Sequence, residues 1–370
     1  MGITAHRGSF VASLVTIASL AACTDEDAYT VDIVSDPTKL AFVVSQDGDG
    51  VWRPVTLDAS GAGSFEVTHG LHGVAHACWS TGQTVAALRI LYSAGAPAQP
   101  LALCTSNTVA RVTVEGVVTP VSAEVYAGPN GLDGNLLGDG TYGVSVRQGP
   151  AEVVAVAGPR MAIARLDLSA DTTHDFDLAV DGFDLPAAPP TVDGTGGATV
   201  RVSSELHTTH GTYVYMEAIG GAARIVPVAQ RAAGDRVVVA AELATDDLHQ
   251  VDQQLVTGDA LPALTIPTAP RLELDRTGVR WDGAWTWASA SISRGGLANR
   301  FAESIGADAA WMSAHGDLAL AWIDPTTLPG WDVAWPRFLP GETLRWSGAV
   351  ERGDRAGDFA MTWRDAMLAW

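Results

Sequence analysis

Leu40-Ala41-Phe42-Val43-Val44-Ser45 leads into Asp47-Gly48-Asp49-Gly50, and residues 51–57 (VWRPVTL) follow. Apolar runs on either side of an Asp/Gly turn read as a strand, a tight turn and a returning strand. The pattern continues through residues 64–67, 74–79, 85–92 and 101–104. That is about six strands in roughly 70 residues, with turn signals every 8–12 residues, the spacing of a sandwich. The expected fold is therefore all-β, built of antiparallel β-sandwich domains in tandem.

The composition of the 370 residues agrees. With 47% hydrophobic and only 17% charged residues the chain can bury cores, which excludes a disordered protein. The net charge of −20 excludes a nucleic-acid binder, because phosphate neutralisation needs a basic surface. Heptads are missing and Gly, Pro, Val and Thr are abundant, which excludes a coiled coil. Lys39 is the only lysine. The length predicts two or three domains.

A first sandwich is expected over 36–109 and a second over 110–185. In the second, Gly140-Thr141-Tyr142-Gly143-Val144-Ser145-Val146 is followed by Glu152-Val153-Val154-Ala155-Val156. This order resembles the prealbumin-like, carboxypeptidase-regulatory type of Ig-sized module. The resemblance implies a non-catalytic structural or binding unit. Residues 186–197, Pro-rich and then Gly-rich, read as a linker. Residues 198–256 again read as strands, and 261–270 as a weaker break inside a 198–370 region. Residues 297–305 are expected to form a short helix. Ten of the twelve tryptophans follow residue 280.

The N-terminus has an address of its own. Arg7 precedes an apolar run over 10–20, too short to span a bilayer but of signal-peptide length. Leu20-Ala21-Ala22-Cys23 resembles the bacterial lipobox. The resemblance implies that residues 1–22 are removed and that Cys23 is lipidated at the head of an acidic tether, 23–35. Thr24 after the cysteine, by resemblance to Gram-negative lipoproteins, points to the outer membrane, on its surface or its periplasmic side. The plainer alternative is an ordinary secretory signal. With Cys23 as anchor, two cysteines remain, and Cys78 and Cys104 are expected to pair in the oxidising space outside the cytoplasm.

Each chemistry-bearing residue also admits a plainer role. His69, His72 and His76 near Cys78 suggest zinc, but two fall in a Gly-rich turn and a bridged Cys78 cannot be a ligand; turn and surface histidines are expected, as for His207 and His210. The Asp47/Asp49 turn and Asp133-Gly134-Asn135 through Asp139 lack the closing Glu of a calcium loop. No metal and no cofactor is expected. Among the tryptophans, Trp285, Trp287, Trp331 and Trp335 are the candidate ligand-binding residues, since indoles stack on sugar faces. The rival reading is core packing, with Trp285 and Trp287 on one strand face. No nucleophile elbow, P-loop or dinucleotide fingerprint is present. Carboxylate pairs such as Glu303/Asp308 or Asp324/Glu342 occur in any chain this acidic. The expectation is a lipid-anchored, non-catalytic envelope protein that binds a glycan or another envelope protein. The alternative is a glycan-active hydrolase with its active region in 271–370.

Overall fold

The computed structural model describes residues 28–80, 84–104, 110–127, 135–136, 139–245, 248–268, 270–294, 301–315, 318–353 and 358–369. The expected signal peptide, Cys23 and residues 24–27 lie outside them. In the first block the longer strands are β1 (Tyr29–Val34), β2 (Leu40–Asp47), β3 (Ala62–Val67), β4 (Leu71–Trp79) and β5 (Val85–Ala94). The second holds β6 (Arg111–Thr119), β7 (Glu124–Ala127), β8 (Thr141–Arg147), β9 (Gly149–Ala157) and β10 (Arg160–Leu168). Then come β11 (Arg201–His207), β12 (Thr212–Ile219), β13 (Arg236–Ala244) and β14 (Leu248–Leu255). The C-terminal region adds β15 (Trp287–Ser293), β16 (Ala302–Asp308), the short helix α1 (Ala309–His315), β17 (Thr343–Gly353) and β18 (Phe359–Ala369). The fold is all-β, as expected.

The second block is a two-sheet sandwich. One sheet is centred on β6 and β8; the other runs Phe183–Asp184, β10, β9, β7. Strand β8 shows why: Tyr142, Val144 and Val146 are buried on one face while Ser145 and Arg147 point out, the period of two that a half-buried strand requires. Strand β9 is apolar without alternation, and both its faces are covered, as such runs demand. Val153 and Ala155 enter the sandwich core with Val114 and Val125. Val154 and Val156 pack outward against Val202, Leu206, Tyr213 and Val239 from the following strands.

A twelve-stranded sheet dominates the rest. Its order is β12, β11, β13, β14, β18, β17, β15, β16, β5, β4, β2 and Arg53–Pro54. Every neighbouring pair is antiparallel except β16 and β5, which run parallel with Ile90 opposite Ile305. Segments 36–109 and 198–370 thus meet in one sheet and share one core. Val44, Leu88 and Ile90 pack there with Ile292, Trp331 and Trp346. On the opposite face of β2 and β4 lies a small sheet of β1, β3 and Leu101–Ala102, with Ile33, Val43, Val74 and Leu103 between.

Several local expectations are corrected. Of the tether 23–35, Tyr29–Val34 is strand β1, with Val31 and Ile33 buried. Of 51–57 only Arg53–Pro54 pairs with β2. In place of the helix expected over 297–305, residues 302–308 form β16, and 297–300 lie outside the described residues. Gly306 has no helix-forming side chain, and Ile305 and Ala307 alternate with it into the core, so tertiary burial sets the period. Within the linker 186–197, Ala187–Ala188 pairs with Ala223–Arg224 and Val192–Asp193 with Leu264–Thr265.

Candidate functional site

The sequence-predicted residues come to rest in different places. Cys78 and Cys104 form a disulfide, their Cα atoms 5.6 Å apart, ordinary bridging geometry. Trp331 is buried and packs edge-on against Phe42 and Trp335, and Trp335 meets Trp79 in the same way. Trp285 packs against the same core, donates its indole N–H to Asp282 O and carries the Arg352 guanidinium over its ring. It precedes β15, so it does not share a strand face with Trp287. Of the four, Trp287 alone lies on the outer face of the large sheet. Alternation from the buried Ala288, Ala290 and Ile292 puts it there, beside Ser289, Ser291 and Ser293.

The histidines differ from expectation. His72 and His76 are buried in β4 and are not turn or surface groups. Tyr29 holds His72 through a 2.9 Å contact to Nδ1. Burial, with Arg89 beside it, drives the His76 imidazole down to about 4, so it is neutral at pH 7. His69 bonds Asp47, whose carboxylate also accepts from the Thr68 and His69 backbone N–H groups at 3.0 Å each. Burial pushes the Asp47 carboxyl up, but these bonds outweigh it and hold it below the ordinary range. Asp47 is thus a turn anchor, and Gly48, with φ of +55°, supplies the left-handed residue the turn needs. His207 bonds Glu205, and His210 bonds the buried Glu152, each at 2.9 Å. Asp133 lies outside the described residues. Among those residues no group of three or more His, Cys, Asp or Glu side chains could hold a metal.

The suggested carboxylate pairs do not form working pairs either. Glu303 points into the core and Asp308 to the other face of β16. Glu303 is fully buried; burial first, and then Asp324, push its carboxyl up to about 8. Its Oε1 accepts from the Ile323 N–H at 3.1 Å, while Oε2 has no partner. Asp324 caps its own turn through Thr326, and Glu342 pairs with Arg294.

What the strands assemble on the outer face of the large sheet is a concave site in which serine hydroxyls stand among apolar side chains. Its floor is one register row: His76 opposite Arg89, Arg89 opposite Ser304, Ser304 opposite Ser291, Ser291 opposite Ser347, Ser347 opposite Asp365. The next row holds Gly306, Ser289 and Ala349. The Trp287 ring closes over Gly306, where an added Cβ would stand 2.5 Å from its Cζ2. A cavity of about 220 Å³ opens over this floor. A second, of about 470 Å³, adjoins it through Arg89 and is walled by the disulfide, Lys39, His76 and Leu103. Of these residues Trp287 stands out in the sequence, while Arg89 and the serines do not. The signal was the strict alternation Trp287-Ala288-Ser289-Ala290-Ser291-Ile292-Ser293, a strand with one apolar face and one face of hydroxyls.

Comparison with known proteins finds no matching family model, no matching curated protein and no matching solved structure. The reading of function rests on the residues themselves.

Proposed function

We propose that the chain is an exported lipoprotein of the outer membrane, anchored through Cys23, with a non-catalytic role in binding a saccharide. The N-terminal sequence supports the address. The observation that carries the binding reading is the groove on the large sheet. It presents Ser289, Ser291 and Ser304 as hydroxyl donors and acceptors, and Ser347, which donates to Asp365, as an acceptor, with the planar Trp287 indole at its margin. Hydroxyls and an indole face together match the polar edges and apolar faces of a pyranose ring. The sheet supplies a rigid base, so little ordering entropy is lost on binding. The alternative, a hydrolase centred in 271–370, finds less support: most of the tryptophans there are packed in the core, and Glu303, the one carboxyl among the described residues with a raised pKa, lines neither cavity.

Two measurements test this. Intact mass and fractionation of the native protein should give a chain that begins at Cys23 with added acyl mass, in the membrane fraction; an unmodified N-terminus would refute the anchor. A glycan array probed with the full chain should show binding that Ser291→Val abolishes. Equal signals from the two proteins would refute the groove as the site.

A further inference from the structure

The lining of the groove runs against the charge of the molecule, although Asp308 and Glu351 flank Trp287 on the neighbouring strands. The chain carries 42 acidic and 22 basic residues. Yet the residues lining the two joined cavities include Arg89 and Lys39 and no Asp or Glu. Both cations are exposed, and neither is in an ion pair among the described residues. His76, directly across from Arg89, is neutral and adds no charge of its own. On the floor row the first acid is Asp365, four strands from Arg89, and it is already paired with Arg345 at 2.8 Å. A guanidinium left unpaired at the junction of two cavities is a fork for a planar carboxylate.

The row has a second property. Neighbouring strands stand about 4.8 Å apart. Ser304, Ser291 and Ser347 therefore repeat across the sheet at close to the length of one pyranose unit in an extended chain. A ligand lying across the strands would meet one hydroxyl per sugar ring. Its end would reach Arg89, with Lys39 beyond in the larger cavity.

From this we infer that the ligand is an acidic oligosaccharide, bound crosswise to the strands with the carboxylate of a uronic sugar on Arg89 and successive rings over Ser304, Ser291 and Ser347. The inference rests on the saccharide-binding reading above and narrows it to a class. Arg89 selects the charge, the serine row sets the spacing, and the small side chains of the floor let the rings approach the sheet.

The test is calorimetric titration of the full chain, purified in detergent, with three probes: a galacturonic acid trisaccharide, its methyl-esterified counterpart, and inorganic phosphate. The acid should bind at least about tenfold more tightly than the neutral ester, the scale of one charge-assisted hydrogen-bond pair. Arg89→Gln should erase that preference without moving the melting temperature, since Arg89 is exposed, and Lys39→Gln should reduce it. Equal binding of acid and ester, unchanged in Arg89→Gln, would overturn the acidic class and leave the saccharide reading standing. Binding of neither trisaccharide would overturn both. Phosphate binding as tight as the trisaccharide would overturn the crosswise chain in favour of a small-anion site.

Discussion

Glu303 makes the molecule's stability fall as the solution becomes more alkaline. The carboxyl is fully enclosed between the large sheet and the segment around Ile323, with one oxygen satisfied and the other not. Burial moves it from an ordinary 4.5 to about 8. Between those values the folded chain holds the proton and the unfolded chain does not. Stability from this group is complete below 4.5 and is lost as pH rises through 8. At about 1.4 kcal/mol per pH unit, the whole interval corresponds to roughly 5 kcal/mol as an upper bound. Glu303→Gln keeps the shape and the bond from Ile323 but cannot ionise. Urea unfolding of both proteins at pH 5, 6, 7 and 8 isolates the effect, because every other titrating group is shared. The gap between the two curves should widen steadily in favour of the variant across that range. Parallel curves would mean that Glu303 is ionised in the fold, and the assignment would be refuted.

Three further outcomes are expected. His76 acts in the opposite sense: held at about 4 by burial, it adds stability that is full above 6.5 and lost as pH falls toward 4; His76→Gln should remove that loss in urea melts at pH 4.5 against pH 7. Opening the Cys78–Cys104 bridge, which closes a 26-residue separation, should lower stability by roughly 3–4 kcal/mol in the Cys78→Ser/Cys104→Ser protein, measured by denaturant unfolding. Gly306→Ala should lift the Trp287 ring off the floor, changing indole fluorescence and weakening the proposed saccharide binding, while stability moves by less than about 1 kcal/mol because the ring is half-exposed.

Much of this architecture was legible in the sequence because burial writes a period of two. Strand β8 is read directly from Tyr142, Val144 and Val146, and the unbroken run in β9 marks a strand covered on both faces. What was not legible is partnership. Nothing in Val85–Ala94 names Ala302–Asp308 as its neighbour, because backbone hydrogen bonds are the same for any strand of suitable alternation. His72 and His76 were misplaced for a related reason: their neighbours are glycines and alanines, which occur equally in turns and in crowded strands. In β4, Gly73 is required because a Cβ there would stand 2.9 Å from both Trp52 and Tyr92. The tryptophans were visible as a cluster, but only packing separates those in the core from Trp287 on the surface. The site's serines went unnoticed because hydroxyls on an outer face look like ordinary solvent-facing residues until the register aligns them.

The parallel seam between β5 and β16 bears on how the protein is made. Ser93 on one strand bonds Asp308 on the other across 215 positions of chain. Closing so long a loop adds little to the equilibrium cost, which grows only logarithmically, but it delays the event. During synthesis the first hundred residues must wait, with one face of β2, β4 and β5 still uncovered, until nearly the last segment arrives. An isolated fragment of residues 28–104 should therefore stay unfolded or aggregate, and a chain cut short before Ala302 should be degraded in the cell. Production would depend on a holding chaperone in whichever compartment receives the chain.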